Sequence, residues 1–177
     1  MSTKQILLSG FGGQGILFAG KMLAYKGMME DKNVSWLPSY GPEMRGGTAS
    51  CSVIVSDEAV GSPIVSNPDV LVAMNLPSLD RFEDSVVPGG MIFYDSSLVE
   101  RPVKRSDVVA YPIPATKLAG ENGFSTLANM ILVGKILQAL GEFDEEKVLN
   151  TLNKVIPPKR AEMIEANMKA MKLGAEL

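Results

Sequence analysis

The chain has 177 residues, of which 46% are hydrophobic and 21% charged, with a formal net charge of −3; this describes one globular domain, 1–177, with a substantial core. The negative balance argues against nucleic acid or an anionic membrane as the main partner, since both call for a basic patch. Zero histidines and a single cysteine, Cys51, exclude a histidine base, a histidine metal ligand, an internal disulfide and a cluster held by this chain's cysteines alone.

Taken in order, "KQILLSG" predicts a first strand over 5–9, ending at glycine. After "FGGQG", the apolar Ile16, Leu17, Met22, Leu23 and Met28 predict a largely buried helix over 14–29. "NVSWL" predicts a second strand and 49–55, rich in β-branched residues, a third in which Cys51 is a buried structural thiol. The continuous apolar runs 69–74 and 90–95 predict buried fourth and fifth strands, and "DVVAYPI" a sixth ending at Pro112. Helices follow: one over 115–121, and one capped by Ser125 or Thr126 that runs to Leu140 with Gly141 just past its end. Another is capped by Asp144, and a last one is opened by Pro157-Pro158 and reaches about Met171. The expected fold class is α/β, a three-layer Rossmann-like domain with a mostly parallel sheet flanked by helices. The close spacing of the second and third strands predicts that one is antiparallel, hence a mixed sheet. No apolar run has membrane length and the start lacks a signal-type apolar core, so the expectation is a cytoplasmic protein.

"GFGGQG" matches G-x-G-x-x-G at Gly10, Gly12 and Gly15, between a strand and a helix. Such glycines let the backbone approach a phosphate, which the helix N-terminus attracts; the alternative is a tight turn with no ligand. A dinucleotide fingerprint also needs an acid near the end of the second strand, which here reads Trp36-Leu37-Pro38; Glu30 and Asp31 precede that strand. No Lys-Ser or Lys-Thr follows the loop, so the Walker pattern fails as well. What survives is a phosphate-bearing ligand of neither kind.

A second loop, "PSYGPEMRGGTAS", lies between the second and third strands and leaves the same edge of the sheet as the glycine loop. The fork of Arg45 suits the same anion; the alternatives are a solvated arginine or an ion pair with Glu43. Gly46 and Gly47 permit close approach by a subunit or ligand, and Tyr40 and Glu43 suit subunit contact or loop closure. Glu43 has no neighbouring base, so no catalytic residue and no metal ligand is assigned.

The segments "LLSGFGGQGILFAGKMLA", "WLPSYGPEMRGGTASCSVIVSD", "GSPIVSNPDVLVAMNLPSLDRF" and "PGGMIFYDSSL" resemble the gamma subunit of the 2-oxoacid:ferredoxin oxidoreductases over essentially the whole chain. They are most similar to the 2-oxoglutarate branch, with pyruvate, 2-oxoisovalerate and indolepyruvate enzymes as alternatives. The resemblance implies a complex that oxidatively decarboxylates a 2-oxoacid to acyl-CoA and reduces ferredoxin. Thiamine diphosphate and iron–sulfur clusters would lie in alpha, beta and ferredoxin-like delta partner subunits. This chain, inactive alone, would pack on them and contribute to the coenzyme A site, and a homodimer is a further way to cover its partner surface. Carried over by resemblance, the glycine loop falls on Gly10, Gly12, Gly13, Gln14 and Gly15, and the cationic position on Arg45. Asn129 is similar to an asparagine implicated in coenzyme A contact in fused relatives, the alternative being a buried asparagine bonded to backbone. Asn75, just past the fourth strand, is either a ligand contact or a cap for the helix after it. A free-standing flavin or nucleotide-binding sensor would keep the glycine loop but leave 40–47 without a reason.

Overall fold

The computed structural model describes residues 2–39 and 48–177. Its strands are β1 (Thr3–Phe11), β2 (Asn33–Ser39), β3 (Thr48–Ser56), β4 (Val70–Ala73), β5 (Met91–Asp95) and β6 (Val109–Ile113). Its helices are α1 (Ile16–Met29), α2 (Leu76–Phe82), α3 (Ala115–Glu121), α4 (Ala128–Ala139), α5 (Glu145–Val155) and α6 (Met163–Ala175). The strands form one sheet in the order β2-β3-β1-β4-β5-β6. β1, β4, β5 and β6 are parallel, whereas β3 is antiparallel to both β1 and β2. The mixed sheet is the expected one. Its cause is the β2–β3 connection, too short for the crossover that a parallel neighbour requires.

Alternation along the strands feeds two cores. Ile6 and Leu8 of β1 join Cys51, Val53, Val72 and Phe93 beneath α1, α3, α4, α5 and α6. Leu7, between them in sequence, faces the other way with Ile54, Leu71, Ile92 and Tyr94, covered by Leu79 of α2 and by irregular segments. The three layers of the expected fold are therefore present, with the helices unequally shared between the faces.

Several boundaries differ from the sequence expectation. α1 starts at Ile16, because Gly15 takes the left-handed conformation (φ 73°) at its N-cap and leaves Gln14 in the turn. Neither Ser125 nor Thr126 caps α4: Leu127 occupies the cap position without a side-chain bond, its N–H held by the Phe124 carbonyl at 2.9 Å. Asp144 does cap α5, accepting the Lys147 N–H at 2.9 Å. Pro158 opens only a short 3-10 turn, Pro158–Arg160, before α6. β2 runs on through Pro38, which an edge strand tolerates because the N–H that proline lacks is not needed on the side facing away from the neighbouring strand.

Candidate functional site

β1 and β4 are adjacent and parallel, with Ser9 opposite Ala73, so the turns that leave them share one edge of the sheet. Met74 N–H donates to the Ser9 carbonyl at 2.9 Å and extends that pairing one step. The glycine turn, Asn75 and the start of α4 come together there. Gln14 spans the gap: its Oε1 accepts the Phe11 N–H at 2.6 Å and its Nε2 donates to the Met74 carbonyl at 3.1 Å. Asn75 donates to the same Gln14 oxygen at 3.4 Å, while its own Oδ1 caps α2 by accepting the Ser78 N–H at 2.9 Å. Of the two roles open for Asn75, the cap is present. Asn129 crosses from α4 and donates through Nδ2 to the Gly15 carbonyl at 3.0 Å. It is 4% exposed, and its Oδ1 is buried without a hydrogen-bond partner. A buried acceptor left unpaired costs free energy, on the order of 1–3 kcal/mol, unless something supplies a donor.

The glycines divide into two kinds. A Cβ at Gly10 would meet Gln14 Oε1 at 2.6 Å and Ile16 Cδ1 at 2.9 Å, and one at Gly15 would meet Asn129 Nδ2 at 2.3 Å. These two make room for side chains of the protein itself. A Cβ at Gly12 or Gly13 would meet nothing within 4 Å, and Gly13 has φ +90°, so the turn presents bare backbone to open space there. Behind it, α1 begins with no side-chain cap and no acidic residue in its first turn. Its first N–H groups and positive dipole end are therefore available to an anion.

Tyr40, Glu43, Arg45, Gly46 and Gly47 lie outside the described residues. The strand ends that flank them are described. Thr48 pairs with Phe11, and Ser39 pairs with Ser50, itself opposite Ser9. Because β2 runs in the same direction as β1, the connection leaves β2 at the edge occupied by the glycine turn, as the sequence reading required. No carboxylate reaches this edge from Glu30, which follows α1 at the opposite edge and pairs with Lys26 at 3.0 Å and Lys147 at 3.0 Å. At that opposite edge a cavity of about 50 Å³ is lined by Lys4, Lys26, Glu30, Lys32 and Glu142. Its cations are already paired with acids, so the open glycine turn is the better candidate for an anion.

Residues 5–177 match the pyruvate ferredoxin/flavodoxin oxidoreductase family. The chain belongs to that family. Among curated members it is 42% identical over 174 residues to ketoisovalerate oxidoreductase subunit VorA of Methanothermobacter thermautotrophicus, covering 97% of this chain but 36% of that one. The chain thus spans about a third of that longer relative. It is 34% identical to 2-oxoglutarate synthase subunit KorC of Methanocaldococcus jannaschii, over 98% of this chain and 93% of that one. Among solved structures, the gamma subunit of a keto/oxoacid ferredoxin oxidoreductase from Geobacter sulfurreducens superposes with a TM-score of 0.83 at 26% identity, covering 98% of this chain and 96% of that one. A 2-oxoglutarate:ferredoxin oxidoreductase from Magnetococcus marinus, with 2-oxoglutarate, coenzyme A and succinyl-CoA bound, gives 0.86 at 26% identity, covering 99% of this chain and 31% of that one.

For a member of the pyruvate ferredoxin/flavodoxin oxidoreductase family, the described edge offers the open backbone of Gly12 and Gly13 and the carboxamides of Gln14, Asn75 and Asn129, none of which is a proton-transfer group. Sequence reasoning missed the parts played by the Phe11 N–H and the Met74 carbonyl. Both are backbone groups, and nothing in residue identity marks them.

Proposed function

We propose that this chain is the gamma subunit of a 2-oxoacid:ferredoxin oxidoreductase and that its glycine edge forms part of a coenzyme A site. The observation that carries the coenzyme A reading is the open Gly12–Gly13 backbone over the uncapped start of α1, beside the unpaired buried Oδ1 of Asn129. Coenzyme A carries a pyrophosphate and a ribose phosphate for such an edge, and hydroxyl and amide donors for Asn129. Its thiol would take the acyl group. The residues of this chain would bind and orient the anionic end: Gly12, Gly13 and the α1 N–H groups, with Arg45 from the neighbouring loop as the cation. The coenzyme A held by the Magnetococcus enzyme supports this reading.

The remaining parts of the reaction belong in this proposal to other chains. Thiamine diphosphate and the clusters sit in alpha, beta and delta partner subunits, and ferredoxin receives the electrons. Tyr40, Glu43, Gly46 and Gly47 serve packing against those partners. The proposed setting is the cytoplasm; no described helix is long and apolar enough to cross a membrane. The proposed oxoacid is 2-oxoglutarate, supported by similarity to KorC over nearly its full length. A branched-chain substrate is the second reading, favoured by the higher identity to the ketoisovalerate subunit.

The test is a complex purified with its native partners, assayed on a panel of oxoacids and then with Arg45→Ala. Losing a charge-assisted contact, about 1.5–3 kcal/mol, should raise the apparent constant for coenzyme A roughly 10- to 150-fold. Arg45→Lys should lose less, since a point charge still attracts phosphate. A raised oxoacid constant beside an unchanged coenzyme A constant would move Arg45 to the substrate side.

A further inference from the structure

Resting on the coenzyme A reading, we propose that Gln14 is a positioning residue: its carboxamide holds the glycine turn in the shape that receives the anion and does not itself touch the ligand. Both ends of that carboxamide are used inside the protein. Oε1 accepts from the Phe11 N–H at 2.6 Å and from Asn75 Nδ2 at 3.4 Å, and Nε2 donates to the Met74 carbonyl at 3.1 Å. The first bond closes the turn on itself, and the other two fasten it to the end of β4 and the start of α2. A ligand phosphate needs donors, and those of Gln14 are engaged within the turn: its side-chain nitrogen gives a hydrogen to the Met74 carbonyl, and its main-chain N–H donates to the Phe11 carbonyl at 3.3 Å.

Gly10 supplies an independent argument. It lies in β1 with no φ in the left-handed range, so backbone freedom is not what its position requires. What it lacks is a side chain, and the space that a Cβ would fill is taken by Gln14 Oε1 at 2.6 Å. The first glycine of the motif thus gives Gln14 its berth, while Asn129 anchors the far end of the turn at the Gly15 carbonyl. Gly12 and Gly13, the two glycines beside which a Cβ would meet nothing, lie between these fixed ends. The geometry converts a floppy glycine run into a preorganised site, and preorganisation lowers the ordering cost of binding.

The experiment uses the complex copurified with its partners and measures kcat and apparent constants for coenzyme A and for the oxoacid. Gln14→Met, close in volume but without the amide, should raise the coenzyme A constant about tenfold, with a smaller change in kcat and none in the oxoacid constant, as expected when about one hydrogen bond's worth of positioning is lost. Gly10→Ala, which evicts the carboxamide from its berth without reaching the open side of the turn, should reproduce that effect. The double variant should then be no worse than either single one, because both remove the same support. Multiplied effects in the double variant, or Gly10→Ala without effect beside a strong Gln14→Met, would overturn the proposal in favour of direct contact. If Gln14→Met does not assemble, Gln14→Asn, polar but too short to span Phe11 and Met74, must show the same split. A wild-type complex indifferent to coenzyme A would sink the coenzyme A reading itself. Normal saturation in the wild type with both Gln14 variants within twofold would overturn only the role of Gln14.

Discussion

Cys51 shows how its surroundings decide what a single residue can do. Its thiol is 1% exposed under α1, where Gly20 has no side chain: a Cβ there would lie 2.5 Å from Sγ. Burial pushes the thiol up to about 12 from an ordinary 9.0, and a hydrogen bond from the Trp36 indole only partly offsets this. The thiolate is the reactive form, so Cys51 is inert at neutral pH. At pH 8 iodoacetamide should leave the native chain unlabelled and modify it stoichiometrically once it is unfolded; labelling of native chain at the rate of a free thiol would contradict the burial. The sign of the linkage follows from the raised folded-state value. The folded form holds the proton more tightly, so the contribution is complete below about pH 9 and is lost as pH rises toward 12. Cys51→Ala should remove that part of the alkaline loss, measured as the denaturant midpoint between pH 8 and 11.

Between elements, packing depends on residues that sequence patterns leave unmarked. α4 and α6 approach so closely that a Cβ on Gly134 would meet the Met171 carbonyl oxygen at 1.9 Å, and one on Gly174 would meet that of Ile131 at 1.9 Å. The obstacle in each case is backbone, which cannot rotate aside. Gly134→Ala should therefore destabilise by about 3 kcal/mol or more, read from the denaturant midpoint, as overpacking against a rigid wall requires. Gly120 in α3 meets nothing within 4 Å, and Gly120→Ala should stabilise by up to about 1 kcal/mol. Equal effects at the two positions would show that the close approach is not real. In the sequence both are simply glycines in helical stretches, because the clash depends on a carbonyl about 40 residues away. The same reason limited the site. The strands were legible as apolar runs such as "VLVAM" at 70–74, and the Asp144 cap was legible because its partner lies three residues on. The distant partners of Gln14 (Met74 and Asn75, just past β4) and the Gly15 carbonyl that Asn129 meets are brought together only by the sheet order and the packing of α4. The false cap at Ser125 or Thr126 came from residue type alone, where a tight turn in front of Leu127 decides the matter.

Over the whole molecule, α1 and α4 run from one edge of the sheet to the other and divide its tasks. Their starts, Gly15 and Asn129, meet at the proposed ligand edge. Beyond their ends, Glu30 and Glu142 meet an ionic cluster. There Lys26, 2% exposed, lies 3.0 Å from Glu30 and 3.8 Å from Glu142, Lys147 also reaches Glu30, and Lys4 pairs with Glu142. Lys32 and the Ser2 N–H hold Asp57 nearby. Burial pushes Glu30 up, but the bonds from Lys26 and Lys147 outweigh it and leave the carboxyl below its ordinary 4.5. Asp57 is held at about 2, mainly by Lys32. Depressed folded-state values mean that these groups stabilise above their ordinary range and that the contribution is lost as pH falls from about 4.5 toward 2. The denaturant midpoint should thus hold steady from pH 7 to 5 and drop below about 4.5, with added salt shrinking the drop because the exposed pairs are screened. Lys26→Met should cost no more than about 1 kcal/mol at pH 7, since methionine refills the buried volume and Glu30 and Glu142 keep Lys147 and Lys4. Lys26→Met should also leave the coenzyme A constant of the assembled complex unchanged, because the cluster stands at the edge opposite the glycine turn. A shift in that constant comparable to the effect of Gln14→Met would show that the two edges are coupled through α1, and the division of tasks would fall.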